Sequence, residues 1–175
     1  AIPPLDNNED VLLQAQTGCG KTLAFLLPLF NIIDVSATKT NIHRNRVQCI
    51  ILAPSRELVM QIGTVANQLF KNTEIRCETI IGGANVRNQV DRLRDYKPSI
   101  VVATPGRLAE IIFRLEKLKL SSVRAVIVDE VDNMFRDPYF GEMESILENV
   151  PAFKRNLEDE SMRLLQPHHI RSQED

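Results

Sequence analysis

The stretch "AQTGCGKT" at residues 15–22 limits the possible folds of this chain more than any other feature of the sequence. Its glycines allow backbone N–H groups to approach an anion closely, and its lysine and threonine can meet phosphate and magnesium. Such a loop functions between a strand and a helix. Because the apolar run 11–16 leads into it and "KTLAFLLPLFNII" follows it, we predict a strand, a phosphate-binding loop and a helix. The alternative is a glycine-rich turn with a surface lysine.

The same alternation of strand and helix continues along the chain. Further strands are predicted at 47–53, 75–81, 99–104 and 124–132. Helical patterns separate them and begin at Ser55, Val86 and Pro105, and a last helix is predicted at 141–150. Continuously apolar strands between helices are typical of a parallel sheet covered on both faces. We therefore expect an α/β fold with three layers and a mostly parallel sheet over residues 1–150, followed by a divergent helical or disordered tail at 151–175.

The predicted strand at 124–132 ends in acids, which can form the second half of a phosphate site. Asp129 can hold Mg²⁺, largely through water, together with the Thr22 hydroxyl. Glu130 can orient and deprotonate an attacking water, and Lys21 can bring its charge to the phosphates. An acid pair at this place can also be only the start of a helix. The residues that we expect to bind the nucleotide phosphates are Ala15, Gln16, Thr17, Gly18, Cys19, Gly20, Lys21 and Thr22.

Composition and charge exclude several classes of protein. The net charge of −2 gives no general attraction to nucleic acid, so any such contact requires a local patch. The three cysteines have neither metal-ligand spacing nor a disulfide pattern, which fits a reducing intracellular compartment. The longest apolar run is short and contains Pro28, so no membrane span is predicted. We expect the cytoplasm or nucleus, with an organelle left open because the chain has no initiator Met.

The series "AQTGCGKT", "PSRELVMQI", "GG", "TPGR" and "VDEVD", in this order, resembles the first RecA-like domain of the DEAD-box ATP-dependent RNA helicases. The resemblance covers residues 1 to about 150. It implies a RecA-like P-loop NTPase fold, ATP and Mg²⁺ as cofactors, and RNA held by its backbone. The residues that would contact RNA are Pro54, Ser55, Arg56, Gly83, Thr104, Gly106 and Arg107. Asp132 would couple this domain to a second lobe. For Arg56 and Arg107, a surface salt bridge is the alternative.

Three departures from the family pattern lead to further expectations. The acidic motif here ends in Val131-Asp132 instead of Ala-Asp, and the adenine-reading Gln is missing upstream of "AIP". The Ser-Ala-Thr motif and the second domain with its arginine fingers are also missing, since Ser36-Ala37-Thr38 precedes "PSREL" and is a coincidence. The strand with that motif would lie between 11–16 and 124–132. We expect its slot to stay open and the tail to be loosely ordered. The alternative is that "MRLLQ" at 162–166 inserts as a poor substitute strand.

Two functions follow from these features. The first is an ATP-dependent RNA helicase, an enzyme whose first lobe couples ATP hydrolysis to RNA duplex unwinding or RNP remodelling. The second is a non-catalytic module that binds ATP or RNA without a second lobe. The intact Lys21, Thr22, Asp129 and Glu130 favour the first for the whole protein. We expect the isolated chain to be an inactive monomer without a membrane partner.

Overall fold

Helices and strands alternate along the chain as predicted. The computed structural model describes residues 10–14, 20–34 and 47–151. In chain order the elements are α1 (Lys21–Leu26), α2 (Leu29–Ile32), β1 (Cys49–Leu52), α3 (Arg56–Leu69), β2 (Cys77–Ile80), α4 (Val86–Tyr96), β3 (Ile100–Ala103), α5 (Pro105–Ala109), a π-helical turn (Glu110–Arg114), β4 (Ala125–Val128), α6 (Val131–Met134) and α7 (Phe140–Glu148). Ala15–Cys19, Ser36-Ala37-Thr38 and "MRLLQ" lie outside the described residues.

The four strands form one parallel sheet in the order β2-β3-β1-β4. Cys49 of β1 pairs with Ile100 of β3 on one side and with Ala125 of β4 on the other. Cys77 of β2 continues this row by pairing with Ile100. Because the strands are parallel and begin in one row, their carboxyl ends lie at the same edge of the sheet.

Side chains of the sheet alternate between two hydrophobic cores, as the twofold period of a strand requires. Ile50 and Leu52 belong to the core that includes α4, α5, α6 and α7, whereas Cys49 and Ile51 belong to the core that includes α1, α2 and α3. All four side chains are fully buried. Helices on both faces of a parallel sheet confirm the predicted three-layer α/β fold.

The approach of α3 to the sheet is close because a glycine stands at the contact. Ser55 begins this helix as predicted, since its Oγ accepts a hydrogen bond from Leu58 N at 3.1 Å. Val59, Ile62 and Ala66 form the buried face. Gly63 lies against Thr79 of β2, and a Cβ at Gly63 would overlap the Thr79 Cγ2 methyl. Gly63 thus sets how near the helix can come to the strand.

The prediction of a strand at 11–16 is wrong for the residues that can be compared. Residues 11–14 have no regular structure, and Leu12 is 84% exposed. Within the described ranges, β4 pairs with β1 alone, so no neighbouring strand offers hydrogen bonds to this apolar run. A strand without a partner leaves its backbone groups to water. Within the described ranges no ladder joins 11–14 to 125–128. The competing segment "MRLLQ" lies outside those ranges, so the open slot stays a prediction.

Two of the predicted helices differ from a regular α-helix. The helix after the phosphate loop is interrupted at Leu27 and Pro28, so that α1 and α2 are separate short helices. Proline has no N–H for the ladder and its ring crowds the preceding turn. The helix that begins at Pro105 passes into the π-helical turn after five residues. Across residues 10–14, 20–34 and 47–151, we find no helix with the length and apolar character to span a bilayer.

Candidate functional site

Gly20 marks the start of the helix that follows the predicted phosphate loop. Its φ of 86° lies in the left-handed region, which only glycine adopts without strain. A Cβ placed on it would meet no atom of the described residues within 4 Å. Lys21 and Thr22 follow on the first turn of α1, where both are half-buried. The contacts predicted for Ala15–Cys19 stay predictions, since those residues lie outside the described ranges.

Asp129 and Glu130 lie at the carboxyl end of β4. Asp129 N donates to Leu52 O at 2.9 Å and extends the ladder between β4 and β1 by one residue. Its Oδ1 accepts a hydrogen bond from Glu130 N at 2.9 Å. Glu130 has a φ of 50°, a left-handed conformation that costs a residue with a Cβ about 1–3 kcal/mol. Strain of this kind is concentrated at functional sites. It therefore supports a functional role for Glu130 independently of the sequence motif.

Asn133 orients the Glu130 carboxylate and was not predicted from the sequence. Its Nδ2 donates to Glu130 Oε2 at 3.1 Å, one turn further along α6. Among the described residues no hydrogen bond reaches Glu130 Oε1, and the side chain is exposed. The contact leaves one carboxylate oxygen of Glu130 available to a water molecule. The spacing of three residues on a helix is the signal that could have identified Asn133.

The oxygen atoms of this part of the molecule fit a hydrated magnesium ion. Carboxylate and hydroxyl oxygens are its preferred ligands, and Asp129 and Thr22 supply them. Asp129 Oδ2 receives no hydrogen bond from the rest of the described chain, so it is available to a ligand. Lys21 carries the kind of positive charge that a triphosphate would require. In the described ranges no hydrogen bond or ion pair joins Lys21 or Thr22 to either acid.

The turn between β2 and α4 brings together residues that are distant in the sequence. We call residues 81–85 the double-glycine turn. The Arg56 guanidinium lies against Gly83, and a Cβ on Gly83 would come within 2.8 Å of the guanidinium carbon. Arg107 Nη1 donates to Ala84 O at 2.8 Å. Gly83 has a φ of 81°, a backbone conformation that favours glycine. Arg56 and Arg107 thus contact the same turn.

Arg107 forms a salt bridge with Glu110, which is the alternative to RNA contact that the sequence left open. Its Nε lies 2.9 Å from Glu110 Oε2, and its side chain is only 13% exposed. Two of its donors are therefore used within the protein, one by Glu110 and one by Ala84 O. Arg56 is exposed and forms no salt bridge among the described residues. Arg56 therefore has more capacity than Arg107 to contact a phosphate directly.

The remaining candidate residues follow strand ends at the same edge. Ala53 separates β1 from Pro54, which is buried, and from Ser55, which is exposed. Thr104 comes directly after β3, and its N donates to Ile80 O at 3.0 Å. Gly106 is exposed on the first turn of α5, and Asp132 is exposed on α6. This edge is where open α/β sheets bind ligands. The structure thus groups the predicted residues at one edge, whereas their individual roles stay predictions.

The titratable groups with shifted pKa values lie at the opposite, amino end of the strands. Burial raises the pKa of the Cys77 thiol to about 12, and the neighbouring Glu78 carboxylate adds to this shift. Burial, followed by the proximity of Cys77, also raises the pKa of Cys49 above its usual range. Burial raises the pKa of Glu78 despite its 3.1 Å salt bridge to Arg92. These thiols are protonated at neutral pH and lie away from the candidate site.

A three-layer α/β domain with a left-handed glycine before a lysine-bearing helix, and an acid pair at the end of a parallel strand, belongs to the P-loop nucleotide-binding class. A family model described as DEAD/DEAH box helicase matches residues 1–164. The chain belongs to this family. This match confirms the resemblance that the motifs indicated and the RecA-like fold expected from it.

Curated relatives agree with the family assignment. The chain is 37% identical over 149 residues to the DEAD-box ATP-dependent RNA helicase CshC of Bacillus cereus, covering 85% of this chain and 36% of the relative. It is 37% identical over 156 residues to CshA of Bacillus cereus, covering 89% and 28%. It is 39% identical over 141 residues to the probable ATP-dependent RNA helicase YfmL of Bacillus subtilis, covering 81% and 35%. The chain thus spans about a third of the length of these relatives.

Proposed function

We propose that this chain is the ATP- and RNA-binding first lobe of an ATP-dependent RNA helicase. The whole enzyme would couple ATP hydrolysis to RNA duplex unwinding or RNP remodelling. The observation that carries the proposal is the grouping of the candidate residues at the carboxyl edge of one parallel sheet, after β1, β2, β3 and β4. The names of the relatives support it, since they describe ATP-dependent RNA helicases.

The nucleotide half of the site would divide its chemistry among four side chains. Lys21 would neutralise phosphate charge, and Thr22 with Asp129 would hold Mg²⁺. When bound, the magnesium ion offsets charge on the phosphate oxygens. Glu130 would orient an attacking water through its uncommitted Oε1 and accept the water's proton. Asn133 would hold the other carboxylate oxygen, which keeps the base in one orientation.

The RNA half of the site would recognise the phosphate backbone and not the bases. Gly83 exposes the backbone beside the Arg56 guanidinium. Helix starts at Ser55 and Thr104 provide further N–H groups of the kind that bind phosphate. Local contacts of this kind would allow a chain with a net charge of −2 to bind RNA without a general positive field.

The lobe would not act alone in the whole enzyme. A second RecA-like domain would supply arginine fingers to the transferred phosphate, and Asp132, exposed on α6, would couple the two lobes. We propose that the protein is a monomer. An intracellular place of action follows from the proposal, because ATP and RNA are both available there.

Lys21→Ala tests the nucleotide half of the proposal. The substitution removes a charge-assisted contact worth about 1.5–3 kcal/mol, so the Kd for a fluorescent ATP analogue with Mg²⁺ should rise about 10–150-fold. Lys71→Ala is the matched control, because Lys71 is exposed beyond the end of α3 on the far side of the molecule from the candidate edge. The control should bind the analogue as the unmodified chain does. Equal affinity in Lys21→Ala would show that the phosphate loop is assigned wrongly.

A further inference from the structure

Gln89 stands out because it is a polar residue on the buried face of α4. It is 1% exposed, and it shares that face with Val86, Val90 and Leu93. A buried amide is costly unless its hydrogen bonds are made. Its position in this apolar stripe is the signal through which the sequence could have drawn attention to it. A leucine would satisfy the packing at such a position. Packing alone therefore does not explain why the position carries an amide.

The amide of Gln89 binds both polar groups of a single backbone residue. Its Oε1 accepts from Ile81 N at 2.9 Å, and its Nε2 donates to Ile81 O at 3.0 Å. The ladder between β2 and β3 ends at Ile80, whose O accepts from Thr104 N. Ile81 is the first residue beyond this ladder. The Gln89 amide therefore makes the two hydrogen bonds with Ile81 that a neighbouring strand would otherwise make. In this way it determines where the double-glycine turn begins.

Other side chains hold the rest of the double-glycine turn. The Arg56 guanidinium lies against Gly83, and Arg107 Nη1 donates a hydrogen bond to Ala84 O. Asn85 closes the turn by accepting hydrogen bonds from Arg87 N and Asn88 N at the start of α4. Of these residues, Gln89 alone is buried to 1% exposure, so it is the one that cannot itself reach an RNA phosphate. Its contribution to RNA binding must act through the position of the turn.

We propose that Gln89 is a positioning residue for RNA binding. By fixing both backbone groups of Ile81, it holds Gly82 and Gly83 in the conformation in which their N–H groups and the Arg56 guanidinium meet the RNA backbone together. The inference rests on the proposed function, because it assumes that the double-glycine turn contacts RNA. It adds a residue from outside the surface motifs to the determinants of RNA affinity.

The chain contains a matched control for this residue. Gln48 is 5% exposed, and it forms the same pair of bonds with Asp34, accepting from Asp34 N at 2.9 Å and donating to Asp34 O at 3.0 Å. It precedes β1 at the amino end of the strands, whereas the double-glycine turn lies at the carboxyl end. Replacing either glutamine by methionine removes two equivalent hydrogen bonds at nearly constant volume. Only one of the two replacements should alter RNA binding.

The experiment compares Gln89→Met, Gln48→Met and the unmodified 1–175 chain. Single-stranded oligouridylate is titrated into each ¹⁵N-labelled protein, and the Gly82 and Gly83 amide signals are followed. The melting temperature and the Kd for a Mg²⁺–ATP analogue are measured in parallel. We expect both variants to lose similar thermal stability and to keep their nucleotide affinity. We expect Gln89→Met alone to raise the RNA Kd, by about tenfold.

The outcomes separate this inference from the proposed function. If the unmodified chain shows no RNA-dependent shift of the two glycine signals, the RNA half of the proposed function is wrong. If it shows the shift and Gln89→Met binds RNA as tightly, the positioning role is wrong. Equal weakening by Gln48→Met would also overturn it, since the loss would then reflect stability alone. Should Gln89→Met not fold, Gln89→Asn is used, because its shorter amide cannot reach both groups of Ile81; unchanged RNA affinity in that variant overturns the proposal.

Discussion

Gly63→Ala tests the packing of α3 against the sheet. Gly63 lies in the middle of Arg56–Leu69, where its buried face meets β2. An added Cβ would overlap the Cγ2 methyl of Thr79, far inside the ~3.5–4.0 Å of a normal carbon–carbon contact. Thr79 is β-branched and its χ1 angle is restricted, so the methyl cannot move away freely. The helix or the strand must therefore shift.

The expected magnitude is the balance of two opposing effects. Alanine in place of glycine at a compatible position stabilises a protein by about 0.4–1 kcal/mol. Overpacking in a tight core costs about 1–3 kcal/mol. We therefore expect Gly63→Ala to lower the free energy of unfolding by about 1 kcal/mol, which lowers the Tm by ~2–4 °C for a chain of this size.

A double-mutant cycle isolates the contact. Thr79→Ser removes the Cγ2 methyl and with it the overlap. In that background Gly63→Ala should stabilise the protein by about 0.4–1 kcal/mol, so the coupling energy is about 1–3 kcal/mol. Gly141→Ala is the control, because a Cβ on Gly141 in α7 meets no atom within 4 Å in the part of the chain that the structure describes. Urea unfolding followed by circular dichroism gives each free energy.

One result would contradict the close contact between α3 and β2. If Gly63→Ala stabilises the chain as much as Gly141→Ala does, and the cycle with Thr79→Ser gives no coupling, α3 does not approach β2 as closely as described. A large destabilisation that Thr79→Ser does not relieve would place the clash on other atoms.

The remaining predictions concern chemistry. In a protein that includes the second lobe, Glu130→Gln should keep ATP binding and lower the hydrolysis rate ~10²–10⁴-fold, because an amide cannot accept the proton of water; an unchanged steady-state rate would place the base elsewhere. The isolated 1–175 chain should hydrolyse ATP negligibly in a phosphate-release assay, since arginine fingers contribute ~10³–10⁵ in rate; RNA-stimulated turnover would contradict this. Cys49 and Cys77 should resist iodoacetamide at pH 8 in the native chain and react in urea, because burial raises both thiol pKa values and the reactive thiolate is nearly absent until unfolding. Native labelling as fast as in urea, located by mass spectrometry of tryptic peptides, would contradict that burial.

Local sequence determined the elements and their chemistry. Apolar runs such as "CIIL" predict buried strands, because only a strand covered on both faces is apolar at every position. Ser55 begins its helix as predicted, since capping depends only on neighbouring residues. The shared edge also followed from the sequence for the four motifs that come after β1, β2, β3 and β4, because parallel strands place their carboxyl ends together.

Tertiary structure alone decided which of these residues meet. The order β2-β3-β1-β4 depends on pairing between distant segments, and no local pattern encodes it. The contact of Arg107 with Ala84 spans 23 residues. The exposure of Leu12 likewise has a non-local cause, because an apolar run becomes a strand only when a neighbour offers backbone partners. Side-chain contacts across a turn depend on the positions of all the elements around it. For this reason the hydrogen-bond partner of Gln89, Ile81, could be identified only from the folded structure.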